Sequence, residues 1–265
     1  MNDERRAGRN PELAGTWLVD LDGVVWLAGE PIDRVGEAVA RLRERGVRVV
    51  FATNNSAPTV DELVARMRRA EIAVTPADLL TSAQAAASLV SRGDRVLALA
   101  DGGAREALVE RGAELVENGP VDAVVVGWTH EFTFDRLAQA ATAVREGARL
   151  IGTNEDPTHP TPRGLLPGAG ALLVSVEAAS GQQAEVAGKP HRPMIELVTA
   201  RCGEVAAVVG DRPSTDGLLA GRLGAPFALV LSGVTAPGDR PDPAPDVVAG
   251  DLFELVAQLT DAKGA

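Results

Sequence analysis

The chain has 265 residues, is 45% hydrophobic and carries a formal net charge of −11. That length and apolar content build a sizeable core in one large domain or two modest ones, and the acidic balance excludes the basic footprint of nonspecific nucleic-acid binding. A single cysteine, Cys202, rules out an internal disulfide, and no apolar run is long enough to span a bilayer. Residues 1–10 are charged and lack the apolar stretch of a secretory signal, so a cytoplasmic protein with no membrane partner is expected.

The first apolar run, Trp17-Leu18-Val19, leads into Asp20-Leu21-Asp22-Gly23 and reads as a buried strand ending in two acids. Residues 32–45 place Val35, Ala38, Val39 and Leu42 on one helical face, with Gly46 as the stop. A β-rich run over 47–52 then enters Thr53-Asn54-Asn55-Ser56, and 61–70 reads as a helix carrying Leu63, Val64 and Met67. Strand, helix, strand in this order predicts right-handed crossovers and a parallel sheet, and strands apolar throughout predict cover on both faces. The middle of the chain repeats the grammar, with strands expected at 96–100, 123–128 and 150–153 and helices at 81–91, 104–111 and 134–146. Pro157, Pro160, Pro162 and Pro167 with Gly164, Gly168 and Gly170 predict an irregular loop. Val186-Ala187-Gly188 then runs into Lys189. Residues 194–202 form a helix-like stretch holding Cys202 as a packing residue, and the run 205–209 ends in Gly210-Asp211.

Four strand ends therefore carry acid, hydroxyl, ammonium and acid, where open α/β sheets bind ligands. Two pairs lie on either side of a long region that adds nothing to them. This predicts a doubly wound parallel-sheet core, residues 1–80 and 184–265, interrupted by an inserted α/β cap, residues 81–183. In a strand, residues two apart face the same side, which puts the Asp20 and Asp22 carboxylates together. Such a pair suits transfer of a phosphoryl group to a carboxylate, with the second acid moving the proton. Two anions receiving a third need a cation, and Mg²⁺ takes hard oxygen ligands of the kind Asp211 and Asp216 can add. Thr53 and the turn after it offer anion donors, and Lys189 offers a point charge. Each segment alone also has a plain structural reading: a turn, an Asn-rich loop, a surface lysine, a helix cap. His130, His159 and His191 are too dispersed for a metal motif, and no nucleotide-binding loop is present.

The ordered set D-L-D-G-V-V-W, T-N-N-S, G-K-P and G-D-R-P-S-T-D resembles the haloacid dehalogenase superfamily of phosphatases, in its subfamily with a large α/β cap. The resemblance implies Asp20 as nucleophile and Asp22 as general acid and base. Mg²⁺ is then held by the Asp20 and Asp211 carboxylates and the Asp22 carbonyl, with Asp216 supporting the metal site. Thr53 and Asn54 bind phosphate, Lys189 neutralises it, and Asn55 orients the loop around Asp22. It further implies that Asn154, Glu155 and Asp156 in the cap face the leaving group, and that a homodimer forms through the cap. The implied substrate is a small phosphorylated metabolite: glycerol 3-phosphate, or else pyridoxal phosphate, phosphoglycolate or a sugar phosphate. A phosphotransferase or mutase is the alternative activity, and a non-catalytic metabolite-binding module the alternative class. The chain departs from the family pattern at Pro213-Ser214, where Leu-Asp is frequent, and at Glu155, where Pro is common.

Overall fold

A computed structural model describes residues 9–161 and 164–261. Pro162 and most of the charged N-terminal segment lie outside the described residues. The main sheet has six strands in the order β15 (Val247–Ala249), β14 (Phe227–Val230), β13 (Ala207–Gly210), β1 (Thr16–Asp20), β4 (Arg48–Thr53) and β5 (Leu79–Thr81). Strand β1 pairs in parallel with both β4 and β13, and β13, β14 and β15 continue in parallel. From β1 the chain winds outward one way through β4 and later the other way through β13. The carboxyl ends of β1 and β13 thus flank the point where strand order reverses, the usual ligand crevice of such sheets. All five residues of β1 are buried, consistent with a strand apolar on both faces.

The second sheet has five parallel strands in the order β12 (Glu185–Val186), β9 (Arg149–Gly152), β8 (Ala123–Val126), β6 (Arg95–Leu99) and β7 (Glu114–Leu115). Two hairpins complete the strands, β2 (Trp26–Leu27) with β3 (Glu30–Pro31) and β10 (Thr158–Thr161) with β11 (Gly164–Pro167). The helices are α1 (Val35–Glu44), α2 (Val60–Arg69), α3 (Ser82–Ser88), α4 (Gly102–Arg111), α5 (Phe134–Arg145), α6 (Ala169–Ser180), α7 (Arg192–Cys202), α8 (Leu218–Leu223) and α9 (Leu252–Asp261). The α/β fold expected from the alternating pattern is the fold observed.

Local chemistry explains most boundaries. Helix α1 buries Val35, Ala38, Val39 and Leu42, the stripe read from its 3.6-residue spacing, and Gly46 follows at φ 81. Thr81 caps α3 through its side chain, and Gln84 returns the bond to the Thr81 N–H. The second sheet packs Leu97, Leu99, Val124, Val126 and Leu150 against Ala140 and Val144 of α5 and Leu173 and Val176 of α6. Each fully buried Val or Leu contributes about 1.5–3 kcal/mol relative to exposure.

Two expectations are corrected. The Pro- and Gly-rich stretch is not an irregular loop: Thr158 to Thr161 pair antiparallel with Gly164 to Pro167. Each strand of a two-stranded ribbon is an edge, and proline is tolerated at edge positions whose N–H would face away from the partner strand. The strand before Lys189 joins the five-stranded sheet, beside β9, and not the six-stranded one. The chain forms two compact units, one of Met1–Ala52, Val64–Leu80 and Val198–Ala265, the other of Thr53–Leu63 and Thr81–Leu197. Segments on both sides of the expected insert therefore pack with it, and the hydrogen bonds of Asn54 give the reason below.

Candidate active site

In the first unit, Asp20 is the last residue of β1 and Asp211 directly follows β13. The pairing Val19 with Val209 sets these two ends side by side. Asp216 comes from the wide helical turn Pro213–Gly217 that leads into α8. Each of Asp20, Asp211 and Asp216 presents one carboxylate oxygen, and the three oxygens lie within 4.8 Å of one another. All three side chains are buried, with relative exposures of 8%, 3% and 1%. Buried like charges this close repel, and a hard divalent cation is what such an oxygen set accommodates.

The frame around Asp211 comes from a loop the sequence reading did not single out. The Val234 N–H donates to Asp211 Oδ2 at 2.6 Å, and the Thr235 hydroxyl donates to the Asp211 carbonyl at 2.6 Å. Ser232 Oγ donates to the Gly23 carbonyl at 2.7 Å. The signal available was Ser-Gly-Val-Thr one residue beyond the apolar strand β14. Gly23 has φ 88, and a Cβ there would overlap the Asp211 carboxylate, as would one at Gly233. Gly233→Ala is therefore expected to weaken Mg²⁺ binding about 10- to 100-fold by displacing Asp211. Isothermal titration with Mg²⁺ checks this, and unchanged affinity would refute the displacement.

Asp22 lies apart from the strand geometry expected for it. Strand β1 stops at Asp20, and the Leu21 carbonyl accepts N–H groups from Val24, Val25 and Trp26 in a tight loop. The period-two argument therefore does not reach Asp22, and its carboxylate is not among the three gathered oxygens. Instead Asp22 Oδ1 accepts the Trp26 indole N–H at 3.0 Å. Asp216 has a second part as well: its Oδ2 accepts the Arg212 N–H at 3.2 Å, the cap-like bond its position suggested.

In the second unit, Asn54 is a buried hub. Its Oδ1 accepts the Lys189 N–H at 2.7 Å, and its Nδ2 donates to the Lys189 carbonyl and to Asp156 Oδ2, each at 3.1 Å. The Asn54 carbonyl accepts from Ser82 Oγ at 2.6 Å and from Asn154 Nδ2 at 2.7 Å. Both polar atoms of the Asn54 side chain thus serve the Lys189 loop and Asp156. A Cβ at Gly188 would lie 2.6 Å from Asn54 Oδ1, so that clamp requires glycine. Asn154 is likewise engaged structurally, its Oδ1 accepting the Asp156 N–H at 3.1 Å. Glu155, the departure from the family pattern, has its Oε1 3.0 Å from His191 Nε2. Thr53 Oγ1 accepts the Asn55 N–H at 2.9 Å, and Asn55 Oδ1 accepts the Ala57 N–H at 3.1 Å. Lys189 is 2% exposed. Cys202 is half-buried, and burial pushes its thiol up, which makes it a poor nucleophile and fits the packing role.

Two family profiles match the chain: haloacid dehalogenase-like hydrolase over residues 17–114 and HAD-hydrolase-like over residues 186–255. A D-glycerol 3-phosphate phosphatase from Mycobacterium tuberculosis is 38% identical, over 90% of this chain and 70% of its own length. An acid sugar phosphatase from Staphylococcus aureus is 33% identical, over 92% of this chain and 97% of its own. The structure of a glycerol phosphate phosphatase from M. tuberculosis in complex with magnesium superposes with a TM-score of 0.82 at 34% identity, covering 91% of this chain and 75% of that one. This chain belongs to the haloacid dehalogenase-like hydrolases. Within them it is a phosphatase.

Proposed function

We propose that this protein is a cytoplasmic, Mg²⁺-dependent phosphomonoesterase that works through an aspartyl-phosphate on Asp20, with glycerol 3-phosphate as its first candidate substrate. The observation that carries the reading is the buried trio formed by Asp20 and Asp211, at the carboxyl ends of adjacent parallel strands, with Asp216 from the turn that follows. Three hard oxygens with nothing soft among them fit Mg²⁺, which takes carboxylates together with waters and phosphate oxygens. Bound there, the cation supplies positive charge that offsets the substrate's phosphate.

The chain's own residues carry the steps. An Asp20 carboxylate oxygen attacks phosphorus, the ester P–O bond breaks, and Asp22 gives its proton to the departing alcohol oxygen. Asp22, now a carboxylate, then takes a proton from water, whose oxygen attacks the same phosphorus and releases inorganic phosphate and free Asp20. Splitting one hard hydrolysis into two displacements is the gain of nucleophilic catalysis, and the proton transfers add about 10²–10⁴-fold. Lys189 supplies a fixed ammonium for the phosphate oxygens, and Thr53 a hydroxyl donor.

The M. tuberculosis relative's name supports glycerol 3-phosphate. A sugar phosphate is the second reading, favoured by the match to nearly the whole acid sugar phosphatase, 97% of its length. The test is phosphate release by the purified protein from a panel containing glycerol 3-phosphate, sugar phosphates, pyridoxal phosphate, phosphoglycolate and p-nitrophenyl phosphate. Hydrolysis is expected with Mg²⁺, lost to a chelator and restored by excess metal, with the highest kcat/KM on glycerol 3-phosphate. Best turnover on a sugar phosphate selects the second reading. No hydrolysis of any ester, with Asp20→Asn indistinguishable from wild type, refutes the enzyme reading.

A further inference from the structure

The chain has three tryptophans, Trp17, Trp26 and Trp128. A buried indole N–H needs an acceptor, and a backbone carbonyl serves well. Trp17 Nε1 donates to the Glu12 carbonyl at 2.8 Å, and Trp128 Nε1 donates to the Pro167 carbonyl at 3.0 Å. Trp26 differs: it is 4% exposed, and its N–H goes to a carboxylate, Asp22 Oδ1, at 3.0 Å. The backbone reinforces this bond. The Gly23 N–H donates to the Trp26 carbonyl at 2.7 Å, the Trp26 N–H donates to the Leu21 carbonyl at 3.2 Å, and Asp22 and Trp26 form a β-bridge. The loop is thus a closed ring in which residue 26 is held beside residue 22 by main chain and side chain alike.

We propose that Trp26 is a positioning residue for proton transfer, acting through Asp22. An indole N–H can only donate, so Asp22 Oδ1 is an acceptor in both halves of the reaction. The transferable proton is therefore carried by Oδ2, and the carboxyl plane is fixed by the ring. The effect falls on the proton and not on the attack by Asp20. It therefore depends on how much the leaving oxygen needs a proton: an alkoxide needs one, and p-nitrophenolate leaves without it. This rests on the role of Asp22 in the proposed function.

Trp26→Phe keeps the buried ring and removes the donor. Its kcat/KM on glycerol 3-phosphate is expected to fall about 10-fold or more, the scale of a hydrogen bond to a charged group. On p-nitrophenyl phosphate, kcat/KM should stay within about 2-fold. A packing defect would lower both alike, so equal losses, or none, overturn the proposal. In an Asp22→Asn background the selectivity change should vanish, because the path runs through that carboxyl. A second measurement does not require turnover. The Trp26 indole cross-peak in a ¹⁵N–¹H spectrum, assigned by its absence in Trp26→Phe, should shift upfield in Asp22→Ala while the other two indoles stay put. If none of the three indole cross-peaks moves in Asp22→Ala, the proposal is overturned even where Trp26→Phe does not fold. A wild type that hydrolyses the panel but keeps its selectivity in Trp26→Phe refutes this inference alone, whereas an inactive wild type refutes the proposed function.

Discussion

Asp20→Asn should remove phosphomonoester hydrolysis by about four orders of magnitude or more, the scale seen when a nucleophile is deleted from a catalytic unit. The amide has nearly the same shape as the carboxylate but cannot displace an alkoxide from phosphorus. It also takes one oxygen out of the trio formed with Asp211 and Asp216. Asn is isosteric with Asp, so a fold-neutral variant should melt as a single folded species and gain less from added Mg²⁺ than wild type, since a cation stabilises only in proportion to its binding. Phosphate release and paired melting curves with and without Mg²⁺ measure both effects. Turnover within about tenfold of wild type would exclude Asp20 as the nucleophile.

Lys189→Met should cost about 10²–10³-fold in kcat/KM, the usual loss when one preorganised group that stabilises transition-state charge is removed. The lysine is 2% exposed, and its loop is held through backbone atoms: Asn54 accepts the residue 189 N–H and donates to the residue 189 carbonyl. A methionine keeps those bonds and an aliphatic stem of similar length, so the variant reports the missing ammonium and not a collapsed loop. Inhibition by inorganic phosphate should weaken in parallel, because ground-state phosphate meets the same charge. Wild-type kcat/KM together with undiminished phosphate inhibition would exclude the role. Asn54→Ala offers the contrast, since it leaves the ammonium in place and removes the clamp on its main chain.

Much of the fold was legible in one dimension because its signals are local. The helical stripe of Val35, Ala38, Val39 and Leu42 is buried as the spacing required. The capping pair Thr81 and Gln84 starts a helix within a residue of the expected place. The hairpin at Thr158–Thr161 and Gly164–Pro167 was not legible, because proline and glycine signal a turn without saying whether its arms pair. The acid trio was legible in its membership, since Asp20, Asp211 and Asp216 all stood out, but not in its geometry. Asp22 looked equivalent to Asp20 by spacing, yet the strand stops between them, and Asp216 joins the trio from a turn whose width no pattern announces.

The sequence by itself determined which chemical groups stand at which strand ends, because apolar runs and the polar residues that stop them are consecutive along the chain. Only the tertiary structure decided which of those groups meet. Parallel pairing of β1 with β13 sets Asp20 beside Asp211 across nearly two hundred residues, and the Ser232–Thr235 loop fixes Asp211 by a backbone N–H and a hydroxyl. It likewise decided that Asn54 holds the Lys189 loop, a contact spanning 135 residues, and that Asp22 answers to an indole four residues on. Hydrogen bonds and like-charge repulsion act over a few ångströms of space, and distance along the chain carries little information about them.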